Sequence, residues 1–102
     1  MAENTELYLE AIRLFGKSGQ VKQAIEEMSE LITAMLHFSR GKADKKDVLT
    51  EVVDVSIMLE QIKLIFDIEE DEFKKEREQK LYRLERLINN TEPDIEEIKA
   101  RG

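Results

Sequence analysis

An all-α fold is what this chain of 102 residues predicts, on three observations. Apolar residues recur every three or four positions, the spacing of one helical face. One proline and four glycines are too few turn residues for a many-stranded β fold. A composition 41% hydrophobic and 38% charged is also too apolar for a disordered segment. A chain this short buries only about 60–65% of the surface its unfolded form exposes. The expected architecture is therefore a helical bundle on two antiparallel central helices, completed by oligomerisation. One helical domain over residues 1–90 and a short tail over 91–102 are expected.

The first helix is expected over residues 4–15. Asn4 or Thr5 is placed to cap it, and Leu7, Ile12 and Phe15 give a modest apolar face. Gly16 and Gly19 are expected to break it. A second helix starts near Ser18–Gln20 and runs to about Arg40, with Val21, Ile25, Met28, Ile32 and Met35 as its apolar stripe. Gly41 follows as a stop, in the C′ position that favours glycine. A third helix begins near Asp44 or Asp47 and reaches about Asp67. A fourth, highly charged, runs from Glu69 to about Asn90, where Asn89-Asn90-Thr91 and Pro93 end it. A short, loosely held helix after Pro93 is the expectation for the tail.

The third helix is apolar nearly all round. Val48, Leu49, Val52, Val53, Val55, Ile57, Met58, Leu59, Ile62, Leu64, Ile65 and Phe66 cover most of its circumference. Such a helix must be surrounded, and one chain supplies scarcely enough helices to do it. A central position and a second subunit, in a homodimer or homotetramer, are the expectation.

Charge narrows the partners. With 23 acidic against 16 basic residues the net charge is −7, so a nucleic-acid polymer is repelled overall. A small phosphorylated ligand is still compatible, because a divalent cation inverts the local sign. There is no cysteine, hence neither a disulfide framework nor a thiolate metal site. No apolar run reaches the roughly 18 residues of a membrane span, and no signal peptide is read at Met1. A cytoplasmic protein without membrane contact is expected.

Within the apolar third helix, Glu51 and Asp54 stand where a hydrophobe would be more stable. Three residues apart, they leave the same face about one turn from each other. Glu27 and Glu30 form a matching pair on the second helix, beside Leu31, Ala34 and Phe38. Residues 31–50 between the pairs suffice to finish one helix, turn at Gly41 and return antiparallel. Four carboxylates then converge. Close burial of like charges requires a compensating cation, and all-oxygen ligation suits Mg2+ or Mn2+. The residues alone leave a second reading open, a salt-bridge network with Lys22, Lys63 or an arginine of the fourth helix. A di-iron carboxylate bundle is excluded, because it requires Glu-x-x-His on two helices. The one histidine, His37, has Ala34 three residues before it and reads as a partly exposed helix residue.

Glu27-x-x-Glu30 followed by Glu51-x-x-Asp54 resembles the ExxE…ExxD signature of the MazG-like, all-α NTP pyrophosphohydrolase superfamily. The flanking segments GQVKQAIEEMSELITAM and LTEVVDVSIMLEQIKLIF are similar to the two central helices of its short, single-domain bacterial and phage members. The resemblance covers roughly residues 12–84. It implies hydrolysis of a nucleoside or deoxynucleoside triphosphate between the α and β phosphates, giving the monophosphate and pyrophosphate. It implies that Glu27, Glu30, Glu51 and Asp54 hold Mg2+, with one carboxylate also orienting or deprotonating the attacking water. By the same resemblance Lys80 and Arg83 meet the phosphates, ahead of Lys74 and Arg77, although each also reads as a solvated helix charge. Gln20 matches a position often polar in these relatives and is assigned to substrate binding. Phe15 and Phe38 read either as base-stacking residues or as core. Ser56 departs from the acidic residue many relatives carry there, which leaves the number of metal ions open. The alternative is a non-catalytic helical interaction module, of phage origin for instance, that retains the fold.

Overall fold

A computed structural model describes residues 3–92, and the expectations for Pro93 onwards lie outside the described residues. Four helices follow in order, α1 (Thr5–Phe15), α2 (Lys17–Ser39), α3 (Lys45–Ile65) and α4 (Glu70–Asn89), with no strand among the described residues. The chain divides into two compact units, one ending at Ile68 and the other beginning at Glu69. In the first, α2 packs most extensively on α3, and α1 packs on both.

Gly16 alone joins α1 to α2. Its amide donates to the Ile12 carbonyl at 2.8 Å, closing α1, and its carbonyl accepts from Gln20 at 3.0 Å, opening α2. The joint has φ +83°, in the left-handed region that glycine occupies without strain. Gly19, expected to share in the break, lies inside α2 instead. Of the apolar face read for α1, only Ile12 turns inward, while Leu7 and Phe15 are exposed.

The three remaining ends of the central helices are fixed by local hydrogen bonding. At the end of α2 the Gly41 amide donates to Phe38 at 3.0 Å and the Lys42 amide to His37 at 2.8 Å. This is a Schellman closure, with Gly41 in the left-handed position as expected. At the start of α3 the Asp47 amide donates to the Asp44 carboxylate at 3.1 Å, and the Asp44 amide donates back to Asp47 at 2.9 Å. That reciprocal box fixes where α3 starts. A second Schellman closure ends α3 two residues earlier than expected, with the Ile68 amide donating to Lys63 at 2.8 Å. There Asp67, at φ +54°, fills the position that glycine favours.

The seam of the first unit differs from the one read from hydrophobicity. The stripe expected to be buried on α2 is largely outside: Ile25 is 57% exposed and Ile32 55%, and Met28 and Met35 are exposed too. Val21 of that stripe is half-buried, and Gln20, Ala24, Glu27, Leu31 and Ala34 are covered as well, at alternating spacings of four and three residues. On α3, Glu51, Asp54, Val55, Met58, Gln61 and Ile65 are covered, as are Val48, Glu60, Ile62, Lys63 and Leu64. The five α2 positions from Gln20 to Ala34 so spaced, and Glu51, Asp54, Met58, Gln61 and Ile65 of α3, follow the heptad spacing of a coiled-coil contact. Ala24, 1% exposed, is the most deeply buried side chain, and its size lets a neighbouring backbone approach. Only Val55, Met58 and Ile65 join it as buried hydrophobes, so the core is as thin as the chain length implies. Leu49, Val52, Val53, Ile57 and Leu59 of α3 are exposed.

The second unit contains α4. Glu69 opens it with a reciprocal box, its amide donating to Glu72 at 2.7 Å. Acidic residues fill its first turn and Arg86 its last, each opposite to the helix-end partial charge it meets. No helix of the described chain is long and apolar enough to cross a membrane.

Candidate metal centre

Three of the four acidic residues singled out from the sequence come together. Glu27 of α2 and Glu51 and Asp54 of α3 each offer a carboxylate oxygen, all within 4.8 Å of one another. The three side chains are half-buried. Oxygens bound to one octahedral Mg2+ at about 2.1 Å stand roughly 3–4.2 Å apart.

The hydrogen bonding is incomplete in an informative way. Gln23 Nε2 donates to Glu27 Oε1 at 2.9 Å, one turn back along α2. Glu27 Oε2 and Glu51 Oε2, by contrast, are buried and have no hydrogen-bond partner. A buried oxygen without a partner is expensive, and one on a carboxylate more so. Burial raises the Glu27 carboxyl above its ordinary value. The Gln23 hydrogen bond pulls it back, and the negative charges of Glu30 and Asp54 push it further up. Like charges and unpartnered oxygens facing each other across two helices form a donor set that fits a hard divalent cation. Lys63 pairs with Glu60 of its own helix at 2.8 Å, and neither unpartnered oxygen accepts a hydrogen bond.

Glu30 is not one of the three, although its side chain acts on Glu27. It is exposed, and it lines a cavity of about 520 Å3 together with Glu51. Ser29, Thr33, Ala34 and His37 of α2, Lys42 and Ala43 of the connector, and Asp47 and Thr50 of α3 complete the lining. The volume falls within the few hundred to about 1,000 Å3 of small-molecule sites. His37 is exposed at its edge rather than buried as a ligand.

The remaining candidates have surroundings of their own. Gln20 is 8% exposed, and its Nε2 donates to Gln61 Oε1 at 2.6 Å, so its side chain is engaged between α2 and α3. Lys80 and Arg83 belong to the second unit. Lys80 stands 3.8 Å from Glu76 with both groups exposed, and Arg83 lines a depression on α4 with Lys75, Glu78, Gln79, Tyr82 and Arg86. Lys74 and Arg77 are exposed. Phe15 and Phe38 are exposed too, the latter beside Met35, Val48, Leu49 and Val52 in an apolar groove. Ser56 donates its hydroxyl to the Val53 carbonyl at 2.7 Å. Sequence reading passed over Gln23 and Gln61. The signal for Gln23 was its one-turn spacing before Glu27, and for Gln61 its two-turn spacing after Asp54.

No family model, curated protein or solved structure matches the chain.

Proposed function

We propose that the chain is a Mg2+-dependent nucleoside triphosphate pyrophosphohydrolase of the MazG-like type. The observation that carries this reading is the pair of buried, unpartnered oxygens on Glu27 and Glu51, within a three-carboxylate group next to a ligand-sized cavity. Glu27, Glu51 and Asp54 would hold Mg2+ (or Mn2+), which would supply charge compensation for the phosphates. Glu30, exposed beside that group, accepts the proton of the attacking water. The water oxygen bonds to the α-phosphorus, and pyrophosphate leaves. The cavity receives the rest of a nucleoside or deoxynucleoside triphosphate. Lys80 and Arg83 serve the phosphates, as the resemblance implies.

The accompanying architecture is a hairpin in which α2 and α3 run antiparallel. Pairings whose residue numbers have a nearly constant sum support it: Gln20 with Gln61, Glu27 with Asp54, and Glu30 with Glu51. The exposed apolar stripe Ile25, Met28, Ile32 and Met35, with Val52, Val53 and Ile57, supports a homodimer or homotetramer in the cytoplasm.

The test is pyrophosphate release from a panel of NTPs and dNTPs, with Mg2+ or with EDTA, by wild type and Asp54→Asn. Metal-dependent release that the substitution removes is the expected result. Orthophosphate in place of pyrophosphate, or no release from any nucleotide, overturns the assignment and favours the interaction module.

A further inference from the structure

Two glutamines occupy positions that no step of the proposed chemistry uses. Gln20 and Gln61 are the buried polar residues of the first unit, 8% and 5% exposed, and they bond to each other at 2.6 Å. The second amide proton pair, on Gln61 Nε2, faces Met58 Sδ at 3.8 Å, a weak acceptor. An apolar pair of the same size would be at least as stable there, because two amides give up water for little more than one mutual bond. A polar pair kept at such a position has its best-attested use in fixing register, at some expense of stability.

The spacing says what the register serves. Gln20 precedes Glu27 by seven residues on α2, and Gln61 follows Asp54 by seven on α3. Seven residues are two turns, about 10.5 Å along the axis, and return to nearly the same face. The amide pair and the carboxylates therefore lie on one seam, two turns apart on both helices. Ala24 and Met58 occupy the intervening covered positions. A slip of one residue turns each helix face by about 100°. It would separate Gln20 from Gln61 and leave both amides buried without partners, and it would carry Glu27 away from Asp54. A smooth apolar seam penalises such a slip far less, since hydrophobic contact is non-directional.

We infer that the Gln20–Gln61 pair is a register lock that aligns Glu27 of α2 with Glu51 and Asp54 of α3, and that Gln20 is a positioning residue rather than a substrate ligand. The inference rests on the reading of these carboxylates as a cation centre. Mn2+ titration by calorimetry, beside thermal melting in EDTA, tests it on three proteins. The double variant Gln20→Met/Gln61→Met is expected to melt no lower than wild type while its Mn2+ affinity falls at least tenfold. Gln61→Glu keeps the acceptor atom for Gln20. It is expected to melt lower, from the buried charge, yet to bind Mn2+ within threefold of wild type. This crossing of stability and affinity is what a purely structural role would not produce. Wild-type Mn2+ affinity in the double-methionine variant overturns the lock and leaves the cation centre standing. Absence of Mn2+ binding by wild type overturns the centre itself, and the lock with it.

Discussion

Replacing Glu27 by Gln removes one charge from a group whose members repel one another, so the metal-free protein is expected to become more stable. Two unit charges 4.8 Å apart repel by roughly 3.5 kcal/mol at an effective dielectric of about 20, and by roughly 0.9 kcal/mol in bulk water. Half-buried carboxylates lie between these limits, and the like charges acting on Glu27 are those of Glu30 and Asp54. Side-chain relaxation reduces the gain, which leaves a net stabilisation of about 1–3 kcal/mol at neutral pH and low salt. For a domain of this size each kcal/mol is worth about 4–8 °C in melting temperature. The pH dependence has a definite sign. The folded state raises the Glu27 carboxyl above its usual value of 4.5, so it holds the proton more tightly than the unfolded chain. The stability contribution is full below the unfolded value and is lost as pH rises through the raised folded one. Wild type in EDTA should lose stability over that window, and Glu27→Gln should lose less. Mg2+ should restore wild type and leave the variant unmoved, since the cation binds the ionised carboxylate. Thermal melts by circular dichroism from pH 4 to 8, with EDTA and with Mg2+, read all of this. A Glu27→Gln variant that melts below wild type in EDTA at pH 7.5 would refute the reasoning, because the carboxylate would then make net favourable contacts.

Glu30→Gln should depress kcat by at least tenfold while Mn2+ affinity in calorimetry stays within a few-fold, and equal loss of both would place Glu30 among the ligands. Asp67→Gly relieves a left-handed residue at the end of α3 and should stabilise by about 0.5–1 kcal/mol in urea unfolding; no gain would mean that the Asp67 side chain compensates its own backbone. Ala24→Leu adds bulk at the most deeply buried of the described core positions and should cost about 1–3 kcal/mol on the same assay, whereas an indifferent response would mean that the packing around Ala24 yields easily. Ile32→Glu, on the outward stripe, should shift the mass in light scattering toward the monomer with helix content retained; an unchanged mass would free that stripe from the proposed assembly.

Helix ends were the most legible part of the sequence, because their chemistry is local. Gly41 stops α2 through its own backbone freedom, and Asp44 with Asp47 opens α3 using groups three residues apart. No knowledge of tertiary packing is needed for either. The acidic pairs were legible for a similar reason, since two carboxylates one turn apart share a face wherever the helix lies. The buried face of α2 was not legible. Hydrophobicity selects Val21, Ile25, Met28, Ile32 and Met35, whereas the contact with α3 centres on Ala24 and carries Gln20 and Glu27. Close approach rewards small residues and the closure of polar pairs, and neither is visible in a hydrophobic stripe. Gly19 misled for a related reason. A helix accepts a glycine at a cost of about 1 kcal/mol when flanking turns are well formed, and only Gly16 has the positive φ that a joint requires. Glu30 differs from its three companions in exposure, a difference that spacing alone does not encode.

The distribution of polarity across α2 and α3 then ties stability to function. A chain with a small core gains most by filling the seam between its longest helices with hydrophobes, yet this seam holds Gln20, Glu27, Glu51, Asp54 and Gln61. Much of the apolar surface faces the other way, on Ile25, Ile32, Val52, Val53 and Ile57. On the proposed reading the seam serves cation binding, and the proposed assembly on the outward faces would supply the missing stabilisation. Two linkages follow from that division. A ligand that neutralises the carboxylates stabilises the folded state by mass action, and a second copy on the apolar faces does so in proportion to protein concentration. Both act on the same two helices, so cation affinity should rise as the protein is concentrated through its assembly range. A cation affinity independent of protein concentration would show that the hairpin aligns its carboxylates unaided.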